Sequence, residues 1–335
     1  MDLKHLLKRG ALIVAANWPT VLIQFLAEST FQVLLGVPII GAAILVALLL
    51  GGDLGEMLQG SLRQIFTTIT SALLAEPIAL TAFISSFAVV LVGGSVFMFL
   101  VKGGTVATLA VSNDAAGAIE REPLTLDLLQ GVSRFSVPSF RAGCARFFRP
   151  YLSAGLLLML VYGVSGGAYL AFLIYGYRAA AGFLIIGWTL AAAGASGLLI
   201  GWITFVNLVY LLFQIALAYG DETVGAAART VSAFIRTEYR DLAGVFVVEL
   251  GLVIVATLAS TLAWSGVGLI AFVPLVGLAV IPLQIAALLV RGLVFEFIGL
   301  TALAAYLTIF RRYVGRSVDL PEFATDQPIG SGDPA

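Results

Sequence analysis

Long apolar blocks alternate along this chain with short polar stretches, most of them basic. Windows of about 20 residues recur with no charge, the length a helix needs to cross a hydrocarbon core of about 30 Å. They predict six spanning helices, over about 28–50, 77–101, 151–175, 198–219, 242–263 and 284–310. The first apolar run begins near Pro19, with a kink expected near Gly36–Pro38. It exceeds one crossing, so part of it must tilt or lie flat. The run Phe183–Tyr219 is also too long, and its small-residue cluster Ala191–Gly197 is the expected break. Pro77 suits the first turn of the second span.

Between the spans the pattern is two-faced at helical spacing. In residues 3–15, Leu3, Leu6, Leu7 and Val14 share one face and Lys4, His5, Lys8 and Arg9 the other. That predicts an interfacial helix, apolar side in lipid and basic side toward headgroups. Residues 53–75 predict a second amphipathic helix, with Leu58, Leu62, Phe66 and Leu73 opposite Arg63, Gln64 and Thr67. Residues 220–241 predict a third, capped by Asp221 or Thr223, with Arg229, Arg236 and Arg240 opposite Val224, Val231 and Ile235. Residues 102–150 read as the longest polar connection, ending in aromatics interleaved with arginines from Phe135 to Phe148. An uncharged stretch, Trp264–Leu283, joins the last two spans, and the tail 317–335 is expected to be disordered. The fold class is therefore all-α: one polytopic integral membrane domain, residues 1–316, of six transmembrane helices with interfacial amphipathic helices.

Charge sets the threading. With the N-terminus inside and six spans alternating, only Arg63 and Arg178 fall outside and only Arg291 within a span. The other fifteen of the eighteen basic residues lie inside. The positive-inside rule selects this N-in/C-in arrangement. A separate crossing by 264–283 would put Arg311, Arg312 and Arg316 outside, so that linker is expected to be re-entrant or surface-lying. The chain also reads as a coarse parallel repeat of three units, roughly 1–102, 124–220 and 221–312.

Composition agrees and removes several kinds of chemistry. Of 335 residues, 60% are hydrophobic and 11% charged, against about 25% charged in soluble domains. The single cysteine, Cys144, excludes an intramolecular disulfide. The single histidine, His5, sits in the charged N-terminus, which excludes histidine catalysis or a multi-histidine metal site in the membrane. That N-terminus resembles a signal-peptide start, but Trp18–Pro19 interrupts the apolar run and no cleavage site follows, so retention is expected. No glycine-rich phosphate loop or hydrolase constellation is present. No catalytic residue, metal ligand or cofactor is assigned, and the chain is not expected to be an enzyme. Asn113–Asp114 and Glu120–Arg121–Glu122 read as solvated loop residues.

The candidate site is a short set of polar residues inside apolar helices: Glu249, Arg291 and Glu296, with Asn207 and Gln214. Each charge in such a place costs roughly 2.5–3.5 kcal/mol on insertion scales, so something must compensate it. Two readings stand. They line a polar path for an ion, proton or headgroup, or they fix helix register by binding one another and the backbone. Arg291 and Glu296 are about 140° apart around their helix, so each faces a different neighbour. Glu296 is expected near the midplane, and Glu249 about 10 Å from the inner boundary. The spacings Gly163–Gly167 and Gly197–Gly201 predict close helix packing. The stripes Arg134, Arg141, Arg149 and Arg229, Arg236, Arg240 are expected to meet anionic headgroups of the inner leaflet, at about 1 kcal/mol per residue. They abut spans, so nucleic acid is not an expected partner.

The segment Pro123–Gly131, the run Phe147–Tyr151, and Val224–Ser232 leading into the fifth span carry a family resemblance over most of residues 1–312. They resemble the bacterial six-helix membrane proteins related to the membrane domain of glycerophosphodiester phosphodiesterases, most of them without assigned function. The resemblance implies a six-helix fold in a bacterial plasma membrane. No phosphodiesterase catalytic domain accompanies it, so it transfers no active site. Two functions remain: moving or handling a lipid or small solute, or serving as an assembly or scaffold subunit bound to a membrane protein or a second copy. A cavity lined by Glu249, Arg291 or Glu296 favours the first. A closed bundle with an exposed small-residue face favours the second.

Overall fold

The computed structural model describes residues 2–50, 71, 75–180, 185–220, 224–271 and 276–318. Its helices are α1 (Leu3–Ala16), α2 (Trp18–Leu50), α3 (Pro77–Ala115), α4 (Leu126–Val132), α5 (Val137–Ala179), α6 (Ile185–Gly220), α7 (Val224–Ala271) and α8 (Val276–Val318), with a 3-10 turn at Ile119–Arg121. No strand occurs among the described residues. Six helices, α2, α3 and α5 to α8, are long and apolar enough to cross a membrane. The chain is a multi-pass, all-α integral membrane protein. The amphipathic segment expected over 53–75, the caps at Asp221 and Thr223, and the tail beyond Val318 lie outside the described residues, apart from Ser71 and Ala75.

These helices outrun the expected spans. α5 has 43 residues and α7 has 48. At about 1.5 Å per residue each is roughly 65–70 Å long, twice the hydrocarbon core. The basic segments before the third and fifth spans are therefore the lower ends of the spanning helices, not separate elements between them. α5 starts cleanly: the Ser136 hydroxyl accepts the Ser139 N–H at 3.2 Å, and Pro138 stands in the first turn. α7 runs through one irregular residue, Glu238, at φ −111° and ψ 21°. α3 continues to Ala115, so residues 102–115 are helix rather than connection. α6 crosses Ala191–Gly197 unbroken. Alanine is the best helix former, and a helical glycine costs only about 1 kcal/mol, so this cluster does not stop the helix. Trp264–Leu283 is no linker of its own, because residues 264–271 finish α7 and 276–283 begin α8.

The two ends of the bundle differ. Almost all buried apolar residues gather where α1 meets the C-terminal halves of α3, α6 and α8 and the N-terminal halves of α5 and α7. Ile13, Leu109, Tyr151, Leu212, Phe234 and Tyr306 are fully buried there. α1 is amphipathic and exposes Lys4, His5 and Lys8, but protein covers its apolar face, not lipid. A Cβ at Gly10 would lie 2.5 Å from the Thr301 carbonyl oxygen of α8, so only glycine allows this approach. α3 and α5 meet through glycines as well. A Cβ at Gly143 would fall 2.6 Å from the Ala107 Cβ.

A polar network closes this end. Arg9 is buried and donates from Nε to Asn113 Oδ1 at 3.1 Å, from Nη2 to the Asn113 carbonyl at 2.9 Å, and from Nη1 to Glu120 Oε2 at 3.0 Å and to the Gly117 carbonyl. Thr308 donates to Asn113 Oδ1 at 2.9 Å, and Arg311 pairs with Asp114 at 2.9 Å. Asn17, between α1 and α2, accepts the backbone N–H groups of Arg134 and Phe135 at 3.0 and 3.1 Å. Asn113 and Glu120 are thus buried, contrary to the solvated loop expected of them. A polar segment does not announce what packs over it, and here α1 and α8 do.

At the opposite end little is buried; no residue of α5 from 156 to 179 is. Around Gly163, Gly167, Gly197 and Gly201 a Cβ would meet nothing within 4 Å. These GxxxG spacings therefore do not hold the described chain together; the packing glycines are Gly10, Gly104, Gly143 and Gly155. The spans pair as three consecutive hairpins, α2–α3, α5–α6 and α7–α8.

Candidate functional site

Five helices turn polar residues toward one cavity of about 490 Å³, each at helical spacing. α2 contributes Gln24 and Glu28, one turn apart. α3 contributes Lys102, Thr105 and Val106, and α6 contributes Thr204, Asn207, Tyr210 and Gln214. α7 contributes Glu249, flanked by Phe246 and Val253, and α8 contributes Glu296, Gly299, Leu300 and Leu303. The cavity lies where the packed end gives way to the open one. Below it, Leu303 and its neighbours on α8 enter the buried core.

The Glu28 and Glu296 carboxyl groups face each other at hydrogen-bonding range, and Lys102 acts on Glu296 from α3. Gln32 donates to Glu28 at 3.4 Å, from outside the cavity. Thr105 donates to Gln24 Oε1 at 3.2 Å. Tyr306, on α8, stands beside Glu249. Tyr162 donates to Asn207 Oδ1. Gln214 is fully buried; its backbone carbonyl accepts the Tyr151 hydroxyl at 2.8 Å, but neither end of its side-chain amide has a hydrogen-bond partner. Gly299 opens onto the cavity, with nothing within 4 Å of where a Cβ would stand.

Four of the five intramembrane candidates thus meet: Glu249, Glu296, Asn207 and Gln214. Arg291 does not. It is exposed on α8, with its guanidinium 5.5 Å from the centre of the Phe295 ring. The expected 140° separation from Glu296 accounts for this, since the helix that turns Glu296 inward turns Arg291 outward. Glu28 and Lys102 complete the site. Both sit at edges of the predicted spans. The signal for Lys102 was the apolar sequence that continues past it from Gly103 to Ser112, and for Glu28 the Gln24 one turn before it.

The six stripe arginines, Arg134, Arg141, Arg149, Arg229, Arg236 and Arg240, are all exposed at the packed end. Arg236 also borders an apolar groove of about 400 Å³ between α5, α6 and α7. Among the described residues no group of three or more histidines, cysteines or acids is close enough to hold a metal. No family model matches the chain, and neither the curated proteins nor the solved structures contain a significant match.

Proposed function

We propose that this chain is a non-enzymatic membrane protein that moves or handles a lipid or small solute, with the five-helix cavity as its binding site. The observation that carries the proposal is the convergence of Glu28, Lys102, Glu249 and Glu296 on one space within membrane-spanning helices. Ionisable side chains are rare at such depth and commonly mark substrate or ion pathways. A register role predicts charges saturated by their neighbours, and the open amide of Gln214 and the facing carboxyls of Glu28 and Glu296 do not fit it. The cavity favours a small solute over a whole lipid, because its polar members surround it from all five helices.

In this reading the packed, basic end faces the cytoplasm of a bacterium, as the positive-inside rule requires. The exposed arginines then contact anionic lipid, and the cavity opens in the inner half of the bundle. A second reading, a scaffold subunit, draws on the open small-residue faces at Gly163, Gly167, Gly197 and Gly201, which suit a partner helix or a second copy. The two separate by thiol accessibility at Leu300, on the cavity wall. In Leu300→Cys combined with Cys144→Ser, labelling by a membrane-impermeant reagent is the expected result. A folded protein that resists labelling from both sides would sink the solute reading and favour the scaffold.

A further inference from the structure

The charges of the cavity are unequal. Its wall carries three carboxyl groups, Glu28, Glu249 and Glu296, against one ammonium, Lys102. Glu28 and Glu296 are in contact. Two carboxylates so placed repel too strongly to stay ionised together, so the pair holds a proton or a cation between its oxygens. Glu249 stands apart on α7 beside Tyr306, and among the described residues it is too far from the pair to complete a three-carboxylate metal site.

Two further observations point to a ligand larger than an ion. Gln214 lines the same cavity, fully buried, with both ends of its amide unpaired. Buried amides are normally hydrogen-bonded, and a partner for this one can come through the cavity. The volume of about 490 Å³ also suits a small molecule, since such sites span roughly 300–1,000 Å³. Leu208, Leu211, Leu250 and Leu303 give it an apolar wall opposite the carboxyls.

We infer that the cavity binds an amphiphilic organic cation, its ammonium group seated between Glu28 and Glu296 and its body against the leucines, in exchange for the proton that the pair shares. The inference rests on the solute-handling reading above. The empty pair is one carboxylic acid and one carboxylate. Binding places one positive charge between two carboxylates and releases one proton to water. The charge of the site is the same before and after, so the low-dielectric interior never holds an added charge. The other groups facing the exchange are Lys102 from α3, Tyr210 from α6, Glu249 from α7 and Tyr306 from α8, and none of them need change its proton.

The test uses benzyltrimethylammonium with the purified full-length protein in weakly buffered detergent solution, reading heat of binding and proton release together. The expected result is saturable binding with about one proton released per cation, the affinity rising about tenfold per pH unit while the pair remains protonated. Benzenesulfonate, an anion of similar size, does not bind. Glu296→Gln, or Glu28→Gln where the first variant does not fold, abolishes proton release and weakens binding about tenfold or more. Binding without proton release, tighter binding of the anion, or unchanged binding in the glutamine variants overturns the inference. So does no binding of either probe, and labelling at Leu300 then decides how far the failure reaches. A labelled cavity loses only the cation assignment, whereas an unlabelled one loses the solute reading too.

Discussion

Two sets of charged side chains lie inside this bundle, and they are finished to different degrees. At the packed end, all three guanidinium nitrogens of Arg9 donate to Asn113, Gly117 or Glu120. In the cavity, Glu28 meets another carboxyl, Glu296, and the amide of Gln214 meets no partner. A buried charge with its bonds made has little to offer a ligand, whereas facing carboxyls are stable only with something between them. Depth in an apolar helix does not separate structural from functional charges. The state of their hydrogen bonds does.

The largest effect is expected at the finished set. Arg9→Met leaves Glu120 and Asn113 buried without their donor, and breaking a buried pair this way costs about 3–5 kcal/mol. Loss of the monodisperse species on a detergent thermal-stability series would show it; a variant as stable as the parent would erase the distinction between the two sets. A smaller effect is expected at the seam between α1 and α8. The Cβ of Gly10→Ala runs into the Thr301 carbonyl, and overpacking of this kind costs about 1–3 kcal/mol. Gly163→Ala, in open space, has the opposite sign and gains up to about 1 kcal/mol from helix propensity. Melting temperatures of the pair, measured side by side, test both signs.

Exposed charges make a third class, neither buried nor paired like Arg9. Replacing Arg229, Arg236 and Arg240 by glutamine should leave stability unchanged and reduce anionic-lipid affinity by about 1 kcal/mol per residue. Co-purified lipid, counted by native mass spectrometry, reads this directly. The smallest change in stability is expected in the cavity itself. Glu296→Gln keeps the side-chain shape and relieves a like-charge contact, so unfolding should shift by no more than about 0.5 kcal/mol, while solute binding is lost. Unfolding of this variant in step with Arg9→Met would place the cavity charges among the structural ones.

Much of the architecture is legible without coordinates. The spanning helices follow from charge-free windows, a property each segment has on its own. Asn207, Gln214, Glu249 and Glu296 stand out because each interrupts an apolar run, and the structure brings them together. Helix ends are harder to read. Lys102 and the arginines from Arg134 to Arg149 look like boundaries because polarity changes there, yet the backbone continues as helix through them. Polar composition marks where a helix leaves lipid, not where it stops.

The sequence by itself therefore determined the solvent of this protein, its six crossings and the asymmetry of its basic residues, because partition into hydrocarbon is settled segment by segment. Only the tertiary structure decided which polar residues share a space. It buried α1 against α8, turned Asn113 and Glu120 from apparent loop residues into the partners of Arg9, sent Arg291 outward, and set Glu28 against Glu296. Those outcomes depend on which helix faces which, and contacts between residues more than a hundred positions apart leave no periodic trace in the chain.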